Sequence, residues 1–214
     1  MSFQQYAEYL TYISPIILCF GIIIGALYFN KLDKIHRVLW AYLIGCLIID
    51  LSSRILSQLD NNNLVLFFVV GLLDLLIFTY IYYKVTKRKL IVLLIGIIGV
   101  IFIAVELIQT NVDDVQAFQE YSSVVVSFSI VSMSILLLTE SLTHAKPMPQ
   151  YFSFLNMACL VFFAFQLIFL LPLNFLINED LMAVYFIWVL RIIFLFTFYS
   201  ILTSLIWKNG KILK

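Results

Sequence analysis

A chain of 214 residues that is 64% hydrophobic and 12% charged falls outside the ordinary soluble class, whose members are about 45 to 50% apolar and about 25% charged. A spanning helix takes roughly 20 predominantly apolar residues, so this length holds about seven spans joined by short loops and leaves no room for a soluble domain beside them. The net charge of +1 hides a segregation of basic and acidic residues that emerges only along the chain.

The first apolar run, at about 9 to 29, begins within MSFQQYAEYLTYIS and has no basic segment ahead of it. It exceeds the roughly 7 to 15 residues of a signal-peptide core, so it is read as a retained first span. Gly21 and Gly25 frame a GxxxG there, which lets another helix approach closely and offers a route to oligomerisation. The second span, at about 36 to 57, carries Asp50 and Arg54 four residues apart on one face, a spacing that allows a local ion pair. The third, at about 64 to 84, places Asp74 in mid-run, and the fourth, at about 90 to 108, has Glu106 near its end. The fifth, at about 118 to 139, opens on Glu120 and contains SSVVVSFSIVSMS, six serines from 122 to 134. Helix packing is the favoured reading of that stripe, ahead of a polar lining. The sixth, at about 151 to 174, holds Asn156 in one half and Gln166 in the other, and the seventh, at about 181 to 206, has Arg191 as its only charge.

Such continuous runs fit helices rather than the alternating strands of a barrel, because backbone groups in lipid must be satisfied within the segment. Tyr12, Tyr28, Trp40, Tyr82, Tyr83, Tyr151 and Trp207 stand near the ends of the runs, where amphipathic rings prefer the headgroup zone. Cys19, Cys46 and Cys159 lie in apolar stretches without a CxxC and are read as small buried side chains. His36 and His144 sit in loops with no ligand-spaced partner, so no metal site is expected, and no cofactor is expected either.

The connections alternate in charge. NKLDKIHR, YKVTKRK, THAKPMPQ and the tail WKNGKILK are basic, whereas LDNNN, NVDD and NED are acidic or neutral. Eleven of the thirteen Lys and Arg residues fall on one side, and the other two, Arg54 and Arg191, lie inside spans. The positive-inside rule then puts the N-terminus outside and the C-terminus in the cytoplasm. Each basic loop is short and lies against the bilayer, so nucleic acid is not expected as a partner.

Depth follows from counting along the helices. Asp74 and Arg191 each stand eleven residues into a span that starts from the outer side, about 15 Å deep and so near the midplane of a roughly 30 Å core. A lone charge at that level costs about 2.5 to 3.5 kcal/mol on insertion scales, so the two are expected to meet, with the planar guanidinium gripping the carboxylate. Asp50, Arg54, Glu106 and Gln166 gather on the outer side of this pair, and together the six residues form the expected ligand-binding set. No catalytic residue is assigned.

Seven helices with an external N-terminus invite comparison with rhodopsins, but a retinal Schiff base needs a lysine in the last helix, where only Arg191 is cationic. PQYFSFLNMACLVFFAFQLIFL at 149 to 170 is proline-led and aromatic-rich, and YSILTSLIWK at 199 to 208 closes the last span. Within this span layout, those segments resemble small seven-helix inner-membrane proteins of Bacteroidota, a group without an assigned activity. The resemblance implies a bacterial multi-pass inner-membrane protein and transfers no functional residue.

The expected function is a sensory or regulatory subunit, in which an outward-opening polar pocket biases helix packing and a cytoplasmic signalling protein reads the change. One alternative is an intramembrane lipid hydrolase similar in outline to the lysoplasmalogenase-like family, with Asp50, Asp74 and Glu106 as acid and base. The other is a transporter of a small anion or amino acid, with Arg191 as counter-charge.

Overall fold

The computed structural model describes residues 10–59, 63–110, 121–143, 150–176 and 181–212. It is an all-α bundle with seven helices long and apolar enough to cross a membrane. They are α1 (Ile13–Tyr28), α2 (Lys34–Gln58), α3 (Val65–Val85), α4 (Lys89–Gln109), α5 (Tyr121–Thr143), α6 (Gln150–Leu176) and α7 (Leu181–Ile212). Tyr9, Glu120, His144, Lys146 and Lys214 lie outside the described residues.

Local sequence accounts for the ends. Pro15 sits in the first turn of α1, where a missing N–H breaks no helical bond. A short 3-10 turn, Phe29–Lys31, leads to Asp33, whose carboxylate caps α2 by accepting from the His36 backbone N–H at 2.9 Å. The same Asp33 oxygen meets the His36 ring Nδ1 at 2.8 Å. Burial would raise the Asp33 pKa, but these His36 contacts outweigh it and hold the carboxyl below the usual carboxylate value. His36 is thus a buried residue of α2 whose ring lies tilted against Tyr151, not a loop residue.

Helix α7 has 32 residues, about 48 Å at 1.5 Å per residue and well beyond a roughly 30 Å core. It runs to Ile212 where hydropathy placed the span end near 206. The extension is held from its side: Asn209 exchanges two hydrogen bonds of 3.2 Å with Asp33, and Gly210 lets Tyr28 close against the backbone.

In the bundle, successive helices pack on one another, α7 returns against α1, and two further contacts cross the ring, α3 with α5 and α2 with α7. Among the described residues, helix α4 packs mainly on its neighbours α3 and α5, and α1 on α2, α7 and the 3-10 turn. Leu39, Leu43, Leu75, Phe78, Ile130, Met133 and Leu202 fill the interior. The perimeter is apolar as well: Leu27, Ile108 and Leu142 are each more than 70% exposed, a coat suited to lipid and ill-suited to water.

The contacts sort the helix ends into two groups. At one, Glu140 of α5 accepts from the Thr86 hydroxyl at 2.7 Å and from the Lys87 and Arg88 backbone N–H groups at 3.1 Å each, closing the α3–α4 turn. Asp33 and Asn209 join the start of α2 to the end of α7 at that same end. At the other, Arg54 donates to the Thr11 carbonyl at 2.6 Å, Asn63 to the Ser53 hydroxyl at 2.9 Å, and the Tyr121 N–H to Glu106 at 2.9 Å. These are called the lysine end and the Asn63 end.

Two sequence expectations change here. Tyr82 is buried, not interfacial. It donates to Asn156 Oδ1 at 2.9 Å and accepts from the Ser134 hydroxyl, because its single proton is already committed to an atom that can only accept. Cys19 is exposed on the apolar perimeter, whereas Cys46 and Cys159 are buried.

The GxxxG does permit close approach, but within the chain. A Cβ at Gly21 would collide with Thr203 Oγ1, and one at Gly25 with Trp40 Cδ1. Both glycines are buried, so the surface expected to serve oligomerisation is occupied by α2 and α7. Gly25→Ala should therefore destabilise the purified protein by about 1 to 3 kcal/mol through overpacking. Gly71→Ala, whose Cβ would meet only Val126 Cγ2 at 3.5 Å, should be nearly neutral. Thermal unfolding in detergent compares the two, and equal losses would refute the packing assignment.

Candidate ligand-binding cavity

Helix α3 sets the geometry. Asp74, Phe78 and Tyr82 recur every four residues and so share one inward stripe. Phe78 and Tyr82 lie in the dry half toward the lysine end, where Phe78 packs edge-on against Tyr42 and Phe163 with ring centroids 5.4 and 5.3 Å apart. Asp74 stands where this packing stops. Beyond it, toward the Asn63 end, lies a cavity of about 280 Å³ walled by α2, α3, α5, α6, α7 and the start of α1.

Five of the six expected residues line this cavity: Asp50, Arg54, Asp74, Gln166 and Arg191. Asp50 and Arg54 form the i,i+4 pair, with Nε and Nη2 each 3.3 Å from a carboxylate oxygen. Arg54 also lies over the Tyr12 ring at 5.0 Å, so it tethers the start of α1 as well.

Asp74 and Arg191 do not clasp each other. Asp74 Oδ1 accepts from the Tyr42 hydroxyl at 2.8 Å, and no hydrogen bond or ion pair joins this carboxylate to Arg191. The topology explains the correction. Helix α2 packs against both α3 and α7, and its Tyr42 reaches the carboxylate first, supplying a donor without adding a charge. Gln166 Oε1 is buried and accepts no hydrogen bond among the described residues.

Glu106 is the exception. It is buried at the end of α4, and its Oε1 accepts the Tyr121 backbone N–H that begins α5, where a carboxylate also suits the helix dipole. It braces a helix start and does not line the cavity.

The serine stripe of α5 divides in two. Ser129 and Ser132 bond back to the Val125 and Phe128 carbonyls at 2.8 Å each, and Ser134 joins the Tyr82 network. Ser123 and Ser127 line the cavity. Packing was the favoured reading, and it accounts for only part of the stripe.

Tyr42, Cys46, Asn63, Trp188 and Tyr199 line the cavity without having been singled out as site residues. A signal was present: Tyr42, Cys46 and Asp50 follow one another at steps of four, as do Arg191, Leu195 and Tyr199, so each shares a face with a charged residue. The wall as a whole offers two carboxylates, two guanidinium groups, two amides and several aromatic rings, a set suited to orienting a small polar molecule. Neither family models, nor curated proteins, nor solved structures match this chain.

The Tyr42–Asp74 contact is testable by a double-mutant cycle. Tyr42→Phe should cost about 1.5 to 3 kcal/mol, as for a hydrogen bond to a charged group. In an Asp74→Ala background most of that cost should vanish. Detergent unfolding of the four proteins measures it, and strictly additive losses would contradict the contact.

Proposed function

We propose that this chain is a sensory or regulatory subunit of a bacterial inner membrane, with a ligand-binding cavity that opens outward and a cytoplasmic signalling partner at the lysine end. One observation carries the reading: five polar or charged side chains from four helices converge on one cavity in the Asn63 half. Intramembrane ionisable residues mark functional sites by default.

The orientation rests on charge. Lys31, Lys34, Arg37, Lys84, Lys87, Arg88, Lys89, Lys208 and Lys211 belong to the lysine end, which favours the cytoplasmic side and leaves the Asn63 end outside. The coupling route is physical. Asp74 bonds Tyr42, Tyr42 packs on Phe78, and Phe78 on Phe163 and Phe198, so a ligand at Asp74 pushes on rings shared by α2, α3, α6 and α7. Packed aromatic clusters shift between discrete arrangements and carry such a bias.

The lipid-hydrolase alternative has less support. Asp50 is engaged by Arg54 and Glu106 by the α5 start, and about 280 Å³ falls at the lower limit of the roughly 300 to 1,000 Å³ of small-molecule sites.

The test uses the full chain, tagged, in membranes of its own source. A cytoplasmic signalling protein should be retained in mild detergent, and Asp74→Asn should change that protein's activity while leaving the amount of chain in the membrane unaltered. Retention of no such protein, or an activity indifferent to Asp74→Asn, contradicts the proposal.

A further inference from the structure

Helices α3 and α4 frame a second hollow, on the lipid-facing perimeter of the bundle, and its two sides follow from helical spacing. Leu76, Tyr80 and Tyr83 stand at i, i+4 and i+7 along α3, and Leu93, Ile97 and Ile101 at i, i+4 and i+8 along α4, so each set forms one stripe. All six are at least 36% exposed, and they flank a groove of about 420 Å³. Its floor includes the buried Leu75 and Gly96, and a Cβ at Gly96 would run into Thr79. The groove shares no lining residue with the polar cavity.

The groove has a direction. Helix α3 ends at Val85 and α4 begins at Lys89, so Tyr83 and Leu93 lie toward the lysine end while Leu75 and Ile101 lie toward the middle of the bundle. From Tyr83 back to Leu75 is about 12 Å along the helix axis, close to the roughly 15 Å of hydrocarbon in one leaflet. Below the tyrosines the wall is aliphatic apart from Thr79, whose hydroxyl meets Met133 Sδ at 3.9 Å. Such a trough offers a polar molecule little to bond and suits a hydrocarbon chain lying along the helices.

Its mouth is cationic. Lys84 Nζ lies 5.5 Å from the Tyr80 ring centroid, and Lys89 Nζ 5.5 Å from that of Tyr83. Two ammonium groups, one from each helix, therefore stand against rings that line the groove. Among the described residues no carboxylate pairs with either lysine. Glu140, which reaches this turn, is engaged by Thr86 and by the Lys87 and Arg88 N–H groups. A basic recess between spanning helices suits an acidic lipid headgroup, whereas a zwitterionic headgroup brings its own cation against the lysines.

We infer that this groove holds an anionic phospholipid, with one acyl chain lying along α3 and α4 and the phosphate at Lys84 and Lys89.

The experiment titrates purified full-length protein in neutral detergent with dioleoyl phosphatidylglycerol or dioleoyl phosphatidylcholine and counts bound lipid by native mass spectrometry. Phosphatidylglycerol should bind about tenfold or more tightly, since each lysine near an acidic headgroup contributes about fivefold. Lys84→Gln combined with Lys89→Gln should bring the two lipids close to equality. Lys208→Gln combined with Lys211→Gln, at the same end but on α7, should keep the preference. Ile97→Trp, which fills the groove, should weaken both lipids by about tenfold; Leu93→Trp takes its place if the first variant melts well below the unaltered protein without lipid.

Equal binding of the two lipids to the unaltered protein overturns the inference. So does a preference that survives the Lys84 and Lys89 changes, or one lost as fully through Lys208 and Lys211, or lipid binding indifferent to a filled groove. Glycerophosphoglycerol, the headgroup without its chains, should not bind measurably; affinity equal to that of the lipid would also overturn it, by marking a site for soluble phosphate esters. Each of these results leaves the sensory reading of the polar cavity untouched.

Discussion

An unbonded charge among apolar helices costs several kcal/mol, and the way this chain meets that cost organises everything else in it. Each acidic side chain described inside the bundle is assigned a donor on another segment or a nearby turn. Asp74 has Tyr42, Asp50 has Arg54, Glu106 has the first N–H of α5, and Glu140 has the α3–α4 turn. Three of these four tie together elements separate in sequence. The polar groups therefore act as the pins of the bundle, while its apolar surface, greasy on both sides, does little to specify which helix lies beside which.

The pins fall into two classes with different consequences. Glu140 and Glu106 accept from backbone N–H groups at helix starts and turns, and neither lines the cavity. Asp50 and Asp74 are also held, but in the wall of the cavity. Below Asp74 the interior turns dry and aromatic, with Phe162 stacked on Phe198 at 4.2 Å. The Tyr82, Ser134 and Asn156 network then locks α3, α5 and α6 together nearer the lysine end. The polar-lined cavity and this network thus lie in opposite halves of the bundle.

Much of this was legible in the amino-acid order. Apolar run length set all seven helices, because lipid imposes both their length and their internal hydrogen bonding. Five of six candidate residues converge because charges in spans are rare and have few places to go. The failures share a cause: one-dimensional depth says nothing of azimuth. Asp74 and Arg191 count to the same level, but the carboxylate bonds to Tyr42 of α2 instead. Glu106 sits at an attractive depth on a helix that never reaches the cavity. Tyr82 carries the amphipathic ring of an interface residue, but it lies on the inward stripe of α3. The extension of α7 escaped hydropathy because Asn209 and Gly210 pack by polarity and smallness.

The central claim is that polar access is confined to the Asn63 half of the bundle. It is tested most directly by single cysteines on a background in which Cys19, Cys46 and Cys159 are alanine, probed in sealed membranes with a hydrophilic, impermeant thiol reagent. Gly71→Cys and Ser127→Cys should react from the same face of the membrane that labels Asn63→Cys, and Ser134→Cys, inside the dry network, should stay unmodified. Labelling of Ser134→Cys as fast as Ser127→Cys, or of Ser127→Cys from the opposite face, would contradict the account.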